Sequence, residues 1–201
     1  MFNDLSSPLA LLRTRRSGRP RDLFEPGPDA AQLRDILAIA ARTPDHGKLH
    51  PWRFVHVSKT ARPAFAEMLE RAYRAGRDGE PGRLEIEAAH RFAHQAPELV
   101  VLLSSPKESA KIPVWEQELS VGAAAMNLLL AAHAMGFAGG WVTGWAAYSP
   151  QVLEALGGRE GERVAGFIFL GTPGAPLEER LRPDVDELVS EWAPPLTATP
   201  Y

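Results

Sequence analysis

The stretch from Pro113 to Met135 constrains this chain more than any other. Its body, Val121–Met135, is apolar nearly all round and places Gly122, Ala123, Ala124 and Ala125 in succession. The pattern predicts one long helix over Pro113–Met135, and a helix without a polar face has to be buried on every side. The small residues let neighbouring elements approach closely. A chain of 201 residues has little material with which to surround such a helix alone. A second copy packed against it solves the problem, so a dimer core through this helix is expected.

The rest of the chain supplies layers for that helix. Ser7 followed by Pro8 reads as a helix N-terminus, and the helix through Leu9, Leu11 and Leu12 delivers Arg15–Arg19 at its C-terminal end before Pro20. Asp29 and Gln32 form a capping-box pair, and Leu33, Ile36, Leu37 and Ala40 recur at helical spacing. That helix ends near Arg42, because Pro44 disfavours helix at Thr43. A short strand is expected at Arg53–Val57, helices at about 61–76 and 83–95, and a buried strand at Glu98–Ser104. After the long helix come a Gly-Gly-Trp-Val-Thr-Gly strand with a tight bend, a short helix at Pro150–Leu156 and a buried strand at Val164–Leu170. Mixed helices and strands in this order predict layers of the α+β or α/β kind. Residues 1–201 are expected to form one domain. Its last part, 174–201, with prolines at 176, 183, 194, 195 and 200, reads as an extended arm lying on another surface, such as a partner subunit.

Several chemistries are excluded or left without support. The chain has no cysteine, which removes thiol nucleophiles, disulfides, Cys-ligated zinc and iron–sulfur clusters, and fits a reducing cytoplasm. The net charge of −3 gives the whole chain no nucleic-acid footprint. No apolar run is long enough for a membrane span, and Asp4 with the short stretch Pro8–Leu12 argues against a leader. Gly136-Phe-Ala-Gly139-Gly140 follows a helix rather than a strand, so a Rossmann nucleotide site is rejected. No GxxxxGK[ST], HExxH or GxSxG occurs, and no serine has a visible partnered base.

Two segments carry the remaining chemistry. Arg13, Arg15, Arg16, Arg19 and Arg21 lie within nine residues, with Ser17 and Gly18 among them. A solvated helix end, favoured by the helix dipole, or a basic arm for RNA or membrane explains them as readily as anion binding does. The functional reading is a phosphate seat: arginine offers a bidentate fork, Ser17 a hydroxyl, and Gly18 a close backbone approach. The second segment, Pro44-Asp-His-Gly-Lys-Leu-His-Pro-Trp52, offers an acid, two imidazoles and a lysine in a proline-bounded loop. His46 and His50 have metal-ligand spacing, but Gly47 and Pro51 oppose the helix that spacing needs and no third ligand is evident. His90 and His94 read as an exposed helix face. Trp115, Trp141 and Trp145 read mainly as core filling, while Thr143-Gly144 leaves a backbone N–H accessible to a flat ligand.

These motifs, in this order, resemble the nitroreductase family of FMN-dependent oxidoreductases over about residues 8–173: Arg-Arg-Ser after a first helix, a loop ending in Pro-Trp, a long helix opening Trp-Glu-Gln-Glu, and Gly-Gly-Trp-x-x-Gly. The loop resembles that of the short branch reading Pro-Asp-His rather than Pro-Ser-Ser. The resemblance implies an α+β fold, a sheet flanked by helices, with the long central helix at a homodimer interface and FMN bound there. By the same resemblance Arg15 and Ser17 hold the phosphate and ribityl end, with Arg16 beside them. Arg19 stands near the O2 edge of the flavin ring. Arg42 and His46 reach the cofactor from the second subunit, and Trp141, Val142, Thr143 and Gly144 line the ring, with a backbone N–H near N5. The implied activity is hydride transfer from NAD(P)H through flavin N5 to an electron-poor small-molecule acceptor such as a nitroaromatic or quinone, by a ping-pong scheme, with no catalytic side chain, no metal, no nucleic acid and no membrane. Two positions depart from the pattern. Arg180 and Arg182 are candidates, without a clear motif, for the basic residue that members place near the C-terminus, and His50 stands where many carry Gln. Two alternatives remain at this level: a flavoprotein of the same fold with other chemistry, such as reductive dehalogenation or flavin handling, and a non-enzymatic anion or nucleic-acid module built on Arg13–Arg21.

Overall fold

The computed structural model describes residues 2–193; Pro194, Pro195 and Pro200 of the expected arm lie outside them. Five strands form one sheet: β1 (Leu23–Phe24), β2 (Trp52–His56), β3 (Glu98–Ser104), β4 (Ala138–Val142) and β5 (Arg163–Pro173). β5 is its centre. It pairs with β3 along one edge, and with β4 and then β1 along the other, while β2 lies outside β3. Every pairing is antiparallel, which with the flanking helices makes the fold α+β.

Alternation along β3 and β5 sets the layers. Leu99, Val101, Leu103, Phe167 and Phe169 face one side, and Val100, Leu102, Ile168 and Leu170 the other; all are fully buried. The first side is covered by α3 (Arg62–Ala75), α4 (Arg83–Ala93), α6 (Trp145–Tyr148) and α7 (Pro150–Ala155). The second is covered by α2 (Ala30–Ala40) and the long α5 (Val114–Ala134). α1 (Pro8–Thr14) and α8 (Val185–Leu188) lie outside these layers in the chain ends. The expected caps form: Ser7 accepts the Ala10 N–H with Pro8 at the first turn, and Asp29 and Gln32 exchange both bonds of a capping box. No helix of the described residues is long and apolar enough to cross a membrane.

The expectation that the body of the long helix is buried on all sides is not met within one chain. Val121, Ala124, Ala125, Leu128 and Ala132 are buried against the sheet and α2, but Ala123 and Ala134 are exposed and Met126 and Leu130 only half covered. Trp115 and Leu119 continue this uncovered stripe, at 67% and 54% exposure. The physical reason is supply: one sheet face and one helix cover about half of a cylinder. Several short elements also went unanticipated. They are β1, α6, α8 and the single-turn 3-10 helices Pro20–Asp22, His46–Lys48 and Lys59–Ala61.

One buried and one half-buried cation brace the layers. Arg62, 4% exposed, opens α3 and donates to the carbonyls of Val57 (2.9 Å), Ala93 (2.6 Å), Gln95 (3.2 Å) and Pro97 (3.4 Å). One guanidinium thereby joins the end of α4 to the strand edges on either side. Arg53 on β2 grips the buried Glu162 before β5 with two bonds of 2.8 Å. That grip, helped by the Ser105 hydroxyl and the Arg159 N–H, holds the Glu162 carboxyl down at about 2. Arg62→Ala strands four carbonyls and should cost about 3 kcal/mol in urea unfolding, with Arg62→Lys recovering only part of it because an ammonium lacks the fork. Glu162 has a depressed folded pKa, so its contribution is complete above the unfolded value of 4.5 and fades as pH falls toward about 2. On the order of 3 kcal/mol should disappear across that window, and Glu162→Gln should flatten the acid limb of a stability–pH curve.

Candidate functional site

The Arg15–Arg19 segment is held in extended form by its neighbours. α1 stops at Thr14, whose hydroxyl returns to the Ala10 carbonyl at 2.7 Å. The N-terminal residue Asn3 then clamps the chain, accepting the Arg16 N–H (2.7 Å) and donating to the Arg16 carbonyl (3.3 Å). Two residues on, the Gly18 N–H donates to the Gly139 carbonyl at 3.1 Å. This bond lays the segment along the outer edge of β4, the edge that β5 leaves free. The approach requires glycine: a Cβ on Gly140 would stand 2.5 Å from the Gly18 carbonyl oxygen.

Three arginines converge there. Arg15 is partly buried and donates to the Ser17 hydroxyl at 3.3 Å. Desolvation first, and then the charges of Arg182 and Arg16, lower its pKa, yet it stays cationic. Arg182 comes from the chain after β5, which folds back over the segment: the Gly174 N–H donates to the Asp22 carbonyl (2.9 Å) and Arg16 Nε donates to the Glu178 carbonyl (2.5 Å). Glu178 also pairs with Arg19 (2.5 Å), and Glu179 with Arg182 (3.3 Å) and, more loosely, Arg16 (3.9 Å). Arg15 has no carboxylate partner among the described residues, and its buried Nε–H has no acceptor. A second buried polar atom without a partner lies on the facing helix: His133 Nδ1, in a side chain 0% exposed. Burial, and then the charge of Arg15, push His133 down to about 4, so it is neutral at physiological pH.

Past Gly140, β4 carries the other expected residues. The Trp141 indole lies across β5, donating to the Ala165 carbonyl at 3.1 Å, in space left by the missing side chain of Gly166. Val142 turns to the opposite face and packs into the core beneath α3 and α7. Thr143 and Gly144 are exposed, and the left-handed φ of +101° at Gly144 makes the turn into α6. Trp141 also walls an open cleft of about 550 Å³ with Val121, Gly122, Tyr148 and Leu153. The chain thus brings Arg15, Arg16, Ser17 and Arg19 alongside β4, whose last residues Trp141 and Val142 lead into the Thr143–Gly144 turn.

Arg42 and His46 stand apart from that group. Both are exposed in the loop after α2, which is tied to α5 by His46 Nδ1 to Glu116 Oε2 (2.7 Å) and by Asn127 donating to the Thr43 hydroxyl (2.7 Å). Among the described residues no hydrogen bond or ion pair links Arg42 or His46 to the arginine segment or to β4. His50 points to solvent with its ring edge toward Trp52, and His90 pairs with Glu70 at 2.7 Å on the helix surface. Two further residues shape the site. Asp45, the acid of the proline-bounded loop, accepts from the Leu49 and His50 N–H groups and so moulds the loop rather than facing a ligand. His133, the imidazole between Ala132 and Ala134 in an otherwise apolar helix end, was signalled only by that contrast.

The geometry has known counterparts. The Nitroreductase family matches residues 12–172. An Escherichia coli K12 protein named "Putative NAD(P)H nitroreductase YdjA" is 40% identical over 166 residues, covering 82% of this chain and 87% of that one. A Haemophilus influenzae protein named "Putative NAD(P)H nitroreductase" is 36% identical over 175 residues, 87% of this chain and 92% of that one. Among solved structures, a nitroreductase with bound FMN from Bacteroides fragilis superposes with a TM-score of 0.65 at 28% identity, over 87% of this chain and 94% of that one. A nitroreductase-like protein from Bacillus cereus, at 20% identity, shares the fold with a TM-score of 0.76 over 92% and 96% of the two chains. With a family match over most of its length and relatives of 36–40% identity, the chain belongs to the nitroreductase family.

Proposed function

We propose that this chain is an FMN-dependent NAD(P)H oxidoreductase acting in the cytoplasm on electron-poor acceptors such as nitroaromatics or quinones, and that it works as a homodimer. The observation that carries the reading is the seat beside β4. There a partly buried arginine without a carboxylate partner among the described residues holds a buried, unused Nε–H, in the neighbourhood of a second buried nitrogen without a partner and of two further guanidiniums. Buried donors without acceptors are rare, and a phosphate monoester offers the oxygens and the charge to satisfy them. The residues present therefore fit the phosphate end of FMN, with Arg15 and Ser17 as its ligands and Arg16 and Arg182 adding charge.

From that seat a ligand extending along β4 reaches Trp141, Val142, Thr143 and Gly144, which we assign to the flavin ring. When bound, FMN supplies a two-electron carrier that takes hydride from the nicotinamide and gives it to the acceptor. The protein's own part is to bind, orient and exclude water. The exposed Thr143–Gly144 backbone offers N–H groups where no side chain intervenes. Trp141, held against Gly166, gives the neighbouring cleft a flat apolar wall suited to a planar acceptor. No side chain is assigned a proton-transfer role. Donor and acceptor using one open face in turn accounts for a ping-pong scheme. Arg19, in the same segment, would add positive charge at the ring edge, tempered by its pair with Glu178.

The dimer reading rests on the uncovered stripe of α5, on exposed apolar residues of the returning arm such as Leu181, Val185 and Leu188, and on the separation of Arg42 and His46 from the rest of the site. A second copy covering α5 brings those two residues to the partner's cofactor. The purified protein should be yellow and release FMN, one per chain, on denaturation; a colourless protein that takes up no added FMN overturns the reading. Arg15→Ala should weaken FMN binding by roughly 10–100-fold, the loss of a charge-assisted buried bond, measured by flavin fluorescence. Arg21→Ala, at an exposed cation paired with Asp22, should change it less than twofold, roughly the effect of an exposed pair.

A further inference from the structure

We propose that His133 is a cofactor-positioning residue: a neutral imidazole whose Nδ1–H donates to the phosphate oxyanion seated by Arg15. The proposal rests on the phosphate reading of the Arg15–Ser17 segment and adds a ligand from a different part of the chain. His133 lies in the last turn of α5 and is fully buried. Its Nε2 accepts the Gly139 N–H at 3.3 Å. A neutral imidazole that accepts at one nitrogen carries its proton on the other, so Nδ1 is an N–H donor, and it has no acceptor. The Gly139 carbonyl in turn takes the Gly18 N–H. Helix, strand and arginine segment are thus joined through the one residue Gly139, and the imidazole is fixed in tautomer by the strand it supports.

Among the described residues the other buried donor without an acceptor in this region is Arg15 Nε, and Arg15 is close enough for its charge to act on the imidazole. Burial first, and then that same charge, keep His133 from taking a second proton, so the two groups coexist as one cation and one neutral donor. Two cations there would repel each other. The two groups offer one fixed positive charge and one neutral donor. A phosphate monoester dianion answers both the charge and the hydrogen bonding, whereas a neutral ribityl hydroxyl answers only the hydrogen bonding.

Two substitutions separate the roles of the two ring nitrogens. Glutamine places its amide near the Nε2 position and can still accept from Gly139, but leaves nothing at Nδ1. Asparagine places its amide near Nδ1 and can still donate, but loses the bond to Gly139. Affinities for FMN and for riboflavin, which lacks the phosphate, are measured by fluorescence titration of the parent, His133→Gln, His133→Asn and Arg15→Ala, with a thermal melt of each. His133→Gln should lose roughly tenfold in FMN affinity, keep its riboflavin affinity and melt near the parent. His133→Asn should keep most of the preference for FMN over riboflavin and melt lower. If His133→Gln retains the parent's preference while Arg15→Ala loses it, the inference falls and the phosphate seat stands. If Arg15→Ala also retains the preference, the seat itself is misplaced. Equal losses for both flavins in His133→Gln reduce the residue to a structural strut and overturn the proposal.

Discussion

One close backbone approach makes the rest of this site achievable. Gly18 and Gly140 meet with no side chain between them, and the Gly18 N–H reaches Gly139. The contact closes part of a sheet edge that would otherwise present open hydrogen-bonding groups. It also turns a basic peptide, which alone would be a solvated helix end, into one wall of a structured cavity. The residues that make the arrangement work are therefore chemically silent ones, and the conspicuous arginines depend on them.

Charge in the region is graded by burial. Arg16, Arg19 and Arg182 each find a carboxylate from the returning chain, at Glu178 or Glu179. Exposed pairs of this kind contribute little to stability, but they offset repulsion among the guanidiniums and tie the chain end to the segment it crosses. Arg15 is left as the concentrated charge: less exposed, bonded only to Ser17, and free of acidic partners among the described residues. In the proposed seat an anion would meet one strongly directional cation rather than a diffuse basic patch, the property that separates a ligand site from a nucleic-acid surface.

Much of this was legible in the chain. The capping residues Ser7, Asp29 and Gln32 fix helix starts through local bonds, so a short window contains the whole signal. β3 and β5 were readable because they are buried on both faces and therefore apolar without interruption. β1 was not: Leu23 and Phe24 form a strand only because the end of β5 lies beside them, and two residues carry no period. The exposed stripe on α5 was hidden for a related reason, since an apolar surface destined for one neighbour looks the same in sequence as one destined for another. At the site, arginines and tryptophans announce themselves by residue type. His133 does not, because its meaning lies in a bond to Gly139 and in the proximity of Arg15, and neither is a property of its own neighbourhood in the chain.

The loop that carries His46 has a consequence of a different sort. Gly47, Lys48 and His50 all take left-handed backbone angles, a conformation that costs lysine and histidine on the order of 1–3 kcal/mol each. Asp45 offsets that strain by collecting two of the loop's N–H groups on one carboxylate. A segment held this way has spent its conformational entropy during folding rather than at the moment of encounter. His46 is thereby presented on a stiff bracket, so in the proposed dimer a contact made by this loop would begin rigid rather than with the ordering of a floppy loop.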